Sequence, residues 1–164
     1  MRNQLWLEKR LNNIWQLLFP EVEKKNNVII KFKGKWKNKF GHIKTLKNKD
    51  TEIAVNSLFQ SSLIPEHIVD LTIAHELIHY SHGFHSPLPK LYSHPHKGGI
   101  VTKELKKRGF GNQLNLEKQF VKEEWTKIYI ELMKIYKEKR QIIQRDPEIS
   151  NKKAFKLSNL LRWV

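Results

Sequence analysis

Leu7, Leu11, Ile14 and Leu18 recur at spacings of four, three and four, the stripe of an amphipathic helix that ends before Pro20. Trp6 and Trp15 widen its apolar face, and the residue types suit core packing rather than chemistry. The period then changes. Residues 31–40 alternate strictly, with Lys31, Lys33, Lys35, Lys37 and Lys39 interleaved with Phe32, Gly34, Trp36, Asn38 and Phe40. A period of two predicts a strand or hairpin arm, lysines on one face and the aromatics turned to the core. Two further strands are predicted over 41–46 and 51–56, joined by the polar turn Lys47-Asn48-Lys49-Asp50, and 57–62 reads as a short helical or looped connection.

A helix is predicted to start at Pro65, which suits a first helical position, and to run to about His82 before Gly83. It is apolar on most faces, through Ile68, Val69, Leu71, Ile73, Ala74, Leu77 and Ile78, and is therefore expected to be buried. Residues 83–97 form a loop rich in Pro, Ser and His. Gly98 and Gly99 then precede a short amphipathic helix that runs through Arg108 and closes at Gly109. Val121, Trp125, Ile128, Leu132 and Ile135, spaced four, three, four and three, predict a long helix able to pair with the N-terminal one in a coiled-coil-like contact. Pro147 breaks it, and 154–163 reads as a last short helix. There are no internal repeats. The fold class expected is α+β: a small antiparallel or mixed sheet of about three strands packed on the apolar helix, with N-terminal and long C-terminal helices.

Chemistry enters with the centre of that buried helix, Ile73-Ala74-His75-Glu76-Leu77-Ile78-His79-Tyr80. The motif H-E-x-x-H puts His75 and His79 one turn apart on one helix face. Two neutral imidazoles held this way supply two of the three protein ligands of a catalytic zinc (Zn2+). Glu76 is then placed to take the proton of a water that the metal makes acidic. A hydrogen-bonded core cluster is the plainer alternative, but buried histidines and a buried glutamate are costly unless paired or metal-bound.

A third ligand has to come from elsewhere. His82 and His85 follow His79 too closely for the chain to turn back. His94 and His96 follow by fifteen and seventeen residues, enough for a return loop, and Glu104 is a further possibility on the next helix. Tyr80 and Tyr92 are candidates for stabilising an oxyanion by proximity alone, and packing is the plainer reading of both.

Composition narrows the partners. The chain has 164 residues, enough for one domain with a real core, and no cysteine, which removes disulfides, thiol catalysis and cysteine-ligated zinc. Its formal net charge of +15 points to a polyanion, nucleic acid before a membrane surface. The five alternating lysines would make a phosphate-tracking strip; a solvated strand guarded against aggregation reads equally well. Glu8, Lys9 and Arg10 interrupt the first apolar residues, so no signal peptide and no membrane span is expected. The expected location is intracellular, cytoplasmic or with the nucleoid or nucleus, and not secreted.

The order of these features resembles the SprT-like metallopeptidase family, which includes the Spartan-type DNA-dependent proteases. The resemblance rests on Trp36, Gly41, Ile53-Ala54-Val55-Asn56, Leu58, the His75–His79 motif, and His96-Lys97-Gly98 with Ile100 four positions after His96 and Gly109 closing the helix. Lys97 stands inside what is a His-Gly pair in the family. The resemblance covers roughly residues 28–110. It implies a zincin-like domain over 1–112, zinc held by His75, His79 and His96, and Glu76 as general base. It also implies cleavage of proteins on or crosslinked to DNA, in DNA–protein crosslink repair. Residues 113–164, a helical extension, have no family counterpart. The competing expectations are a basic nucleic-acid-binding protein with a structural or inactive zinc site, and a general peptidase with no DNA dependence.

Overall fold

A computed structural model describes residues 1–145. The regular elements in order are α1 (Gln4–Leu18), β1 (Val28–Lys33), β2 (Gly41–Thr45), β3 (Thr51–Asn56), α2 (Glu66–Ser81), α3 (Ile100–Lys107), α4 (Gly111–Phe120) and α5 (Thr126–Arg145). A 3-10 turn, Ser57–Gln60, follows β3, and a π-turn, Val121–Trp125, joins α4 to α5. The fold is α+β, with a mixed three-stranded sheet and a long last helix. The break expected at Pro147 and the short helix expected over 154–163 lie outside the described residues.

The sheet order is β1-β3-β2, with β1 parallel and β2 antiparallel to the central β3. Every residue of β3 is buried. Register puts Ile30, Ile53 and Ile43 opposite one another, and with Val28 and Val55 they join the main core. Full burial of such a side chain contributes about 1.5–3 kcal/mol. The opposite face carries Lys31, Lys33 and Lys44 around Glu52.

Of the strand predicted over 31–40, only residues 31–33 are strand, as the end of β1. Lys31 and Lys33 lie on β1, but Lys35, Lys37 and Lys39 do not continue it, so the five lysines share no single sheet face. The reason is topological. The chain must cross the end of β3 to reach β2 on its far side, two strand spacings or roughly 10 Å away. Gly34 turns out of the strand at a φ of 70°, where an added Cβ would meet the Trp36 ring at 2.2 Å. The crossing is tied to β3 by Asn56, whose Nδ2 donates to the Trp36 and Lys39 carbonyls at 2.7 and 3.1 Å. Trp125 Nε1 donates to the Lys37 carbonyl at 2.7 Å, which fixes the same segment to the start of the last helix. Phe32 and Phe40 do pack on the core.

Asn3 caps α1, its side chain accepting from the Trp6 N–H at 2.8 Å. The helix buries Leu7, Leu11, Ile14 and Trp15 against α2 and β1, and Arg10 pairs with Asp70 of α2 at 2.5 Å. It does not run along α5, so the expected coiled-coil-like pairing is not formed among the described residues. Val121 is exposed, while Trp125 enters an aromatic cluster with Phe40 and Phe59. A heptad-like stripe requires a partner of matching length, and α2 already occupies the face of α1 that would supply it.

Pro65 is the residue before α2 rather than its first helical one. The helix ends in a Schellman motif: Phe84 N–H donates to the His79 carbonyl at 2.9 Å and Gly83 N–H to the Tyr80 carbonyl at 3.1 Å. Gly83 has a φ of 76°, and a Cβ there would lie 2.4 Å from the Pro89 carbonyl oxygen. Only glycine fits this turn. No helix among the described residues is long and apolar enough to cross a membrane.

Candidate metal centre

Helix α2 is buried between β2 and β3 on one side and α1, α3 and α4 on others, which removes the middle of its motif from solvent. Glu76 and His79 are each 5% exposed. The ring centroids of His75 and His79 lie 4.7 Å apart, as expected for residues one helical turn apart.

The loop after α2 returns to them. It is pinned by the Leu91 N–H on the His82 carbonyl at 3.1 Å, by Ser86 Oγ on the Tyr80 carbonyl at 2.7 Å, and by Thr51 Oγ1 on the His85 carbonyl at 2.7 Å. It brings the His96 ring to 5.3 Å from His75 and 4.7 Å from His79. One ligand nitrogen from each of the three histidines lies within 4.8 Å of the others, close enough to hold a metal ion.

Of the alternatives, His94 is exposed and outside the cluster. Glu104 is engaged elsewhere, with Lys107 at 3.1 Å and Arg108 at 3.9 Å. His82 meets Tyr92 edge to face with ring centroids 4.9 Å apart, and His85 lies beside the three without joining them. Tyr80 is a packing residue: its hydroxyl accepts from the Lys25 N–H and donates to Asn26, and its ring meets Trp15 at 5.0 Å.

The environment suits ligation by neutral nitrogen. Burial, reinforced by the charge of His96, pushes the His75 imidazole down to about 4. Burial first, and then the neighbouring histidines, push His79 down to about 3. Both are therefore unprotonated near neutrality, the form that binds metal. His79 Nδ1 is buried and has no hydrogen-bond partner among the described residues, a cost that a bound ion or its shell would relieve. Three histidine nitrogens without sulfur are a donor set suited to zinc and other imidazole-favouring metals.

Glu76 shares a cavity of about 370 Å³ with the three histidines. Burial pushes its carboxyl up to about 8, and the positive charge of Lys39 pulls in the opposite direction. The carboxylate lies against the start of β2, where Gly41 leaves it room. Gly41, His42 and Ile43 line the same cavity, and β2 is an edge strand.

Comparison with protein-family models, curated proteins and solved structures finds no match to this chain. The functional reading therefore rests on residues and geometry.

Sequence reasoning did not single out Lys39 as a wall of this cavity, nor Glu117 of α4, which lines a neighbouring cavity with His75 and Glu76. Nothing in local sequence marks either one, since their placement depends on the crossing segment and on how α4 meets α2.

Proposed function

We propose that this protein is a zinc-dependent endopeptidase of zincin-like architecture that acts on proteins bound or crosslinked to DNA. The observation that carries the proposal is the convergence of His75, His79 and His96 in one cavity with a buried glutamate, Glu76, from the same helix. A purely structural metal site has no use for that carboxylate.

Zinc held by the three histidines would supply Lewis acidity, which polarises a carbonyl and makes a water easier to deprotonate. The chain's own residues then do the rest. Glu76 takes the proton from water at its carboxylate and returns it to the leaving amine nitrogen. Burial alone holds this carboxyl at about 8, and the positive charge of a metal in the three-histidine site would favour the ionised form that accepts the proton. Lys39 adds positive charge to the cavity. The open edge of β2 can pair with an extended substrate backbone, so that main-chain bonds bind it with little regard to sequence.

The DNA context rests on charge. The net charge is +15, and among the described residues Lys35, Lys37 and Lys39 have no carboxylate partner. Lys35 lies over the Tyr136 ring and Lys39 over Trp36, each at 4.4 Å, which leaves their charge available. Lys31 and Lys33 are committed to Glu52.

The deciding experiment is digestion of a DNA-binding protein by the zinc-loaded chain, with and without DNA, beside Glu76→Gln. Cleavage that needs both Glu76 and DNA is the expected result. Cleavage indifferent to DNA would remove the DNA context, and zinc binding with no cleavage of any substrate would overturn the peptidase reading.

A further inference from the structure

A second cavity, of about 320 Å³, shares Gly41, His75 and Glu76 with the first. Its remaining walls are mixed: Phe40, Leu71, Val101, Leu105 and Leu114 are apolar, while Thr72, Thr102 and, from α4, Glu117 are polar. No lysine or arginine among the described residues lines it, although the chain carries 31 of them. Its only carboxylates are Glu76, already assigned to proton transfer, and Glu117.

Glu117 is half-buried, and its carboxyl makes no hydrogen bond or ion pair with any described residue. Burial pushes its carboxyl up, with no nearby cation offsetting the shift. A carboxylate that burial holds partly out of water, with no cation beside it, is costly until a cation reaches it. Lysine and arginine side chains match such a recess in both parts, since their stems bury against apolar walls while their tips carry the charge.

We propose that this cavity is a side-chain pocket selecting a lysine or arginine beside the scissile bond, with Glu117 as the charge partner that sets the preference. The inference rests on the peptidase reading, because the pocket's position matters through its contact with His75 and Glu76. It also gives that reading a substrate class, since proteins that neutralise DNA phosphates do so with lysine and arginine.

Two measurements test it. The zinc-loaded protein is assayed on internally quenched peptides that differ at one position flanking the scissile bond: lysine, arginine, uncharged norleucine or glutamate. The expected preference for lysine and arginine over norleucine is roughly 10- to 100-fold in kcat/KM. It should collapse in Glu117→Gln and turn toward glutamate in Glu117→Lys. In parallel, a lysine peptide and its norleucine counterpart are titrated into the metal-free protein and into Glu117→Gln by calorimetry. Tighter binding of the lysine peptide, lost in Glu117→Gln, is expected whether or not cleavage occurs. Binding of that kind with no cleavage of any peptide would uphold the pocket while sinking the peptidase reading. A basic preference unchanged in Glu117→Gln would overturn the pocket, as would equal binding of the two peptides.

Discussion

Gly41 and Glu76 are matched across the interface between β2 and α2: a Cβ at position 41 would sit 3.1 Å from Glu76 Oε1. The same Cβ would meet Thr72 Cγ2 at 2.6 Å and the Ala54 carbonyl oxygen at 3.0 Å. The first strand residue is thus bare so that the buried carboxylate and its helix can approach the sheet. Gly41→Ala should cost about 1–3 kcal/mol in stability, as overpacking of a filled core does. It should also lower peptidase activity by more than the unfolded fraction explains. Denaturant melts paired with kcat on the folded protein check this, and wild-type values for both would show that the contact has no consequence.

Glu76→Gln keeps the shape of the side chain and removes its basicity. Zinc affinity should stay close to wild type, while kcat falls by about 10²–10⁴-fold, the usual contribution of a positioned general base. Zinc titration and steady-state kinetics on the same preparation separate the two effects. Retained turnover would take Glu76 out of proton transfer.

His96 is exposed and outside any regular α-helix or strand, yet its ring stands 4.7 Å from that of His79. His96→Ala should weaken zinc binding by more than ~100-fold, beyond what the loss of a residue merely supporting a ligand costs. His94→Ala should leave it nearly unchanged. Competition with a chromophoric chelator measures both, and the opposite ranking would reassign the ligand.

Glu52 is 3% exposed at its side chain and meets Lys31, Lys33 and Lys44 at 2.7, 2.9 and 3.3 Å. Burial alone would raise its carboxyl, but the hydrogen bonds from Lys31, Lys33 and Lys44 outweigh that and hold it down at about 2. A carboxyl depressed on folding adds stability that is present above the unfolded value of 4.5 and lost as pH falls toward 2. The shift corresponds to roughly 3 kcal/mol. The lysines are partly exposed and can rehydrate, so Glu52→Gln should cost about 1–3 kcal/mol at pH 7. The gap to wild type should close between pH 4.5 and pH 2, as followed by urea unfolding. A pH-independent gap would assign the loss to packing instead.

Lys31 and Lys33 share a buried carboxylate, whereas Lys35 and Lys37 have no acidic partner among the described residues. Replacing Lys35 and Lys37 with glutamine should weaken DNA binding and reduce the slope of log affinity against log salt by about 2. Replacing Lys31 alone should change the slope less. Fluorescence anisotropy across a salt series decides the matter, and an unaltered slope in the double variant would leave those lysines as solvated surface.

Much of this molecule is legible from periodicity and spacing because the determinants are local. The spacing of Leu7, Leu11 and Ile14 marks α1, residues 51–56 are the central strand, and the run from Ile68 to Ile78 marks α2 as buried. His75, Glu76 and His79 lie on one stretch of helix, so their common placement follows from 3.6 residues per turn. What tertiary structure alone decides involves residues far apart in the chain. Strict alternation over 31–40 reads as one strand, yet the parallel pairing of β1 with β3 obliges the segment after Gly34 to cross the sheet end. Loop length allows His94 and His96 alike and leaves Glu104 of the next helix open, and only the path pinned by Gly83, Ser86 and Thr51 delivers His96. Glu117 comes to the cleft because α4 lies against α2. A repeat every two or four residues reports which face is buried, but it carries no record of what that face will meet.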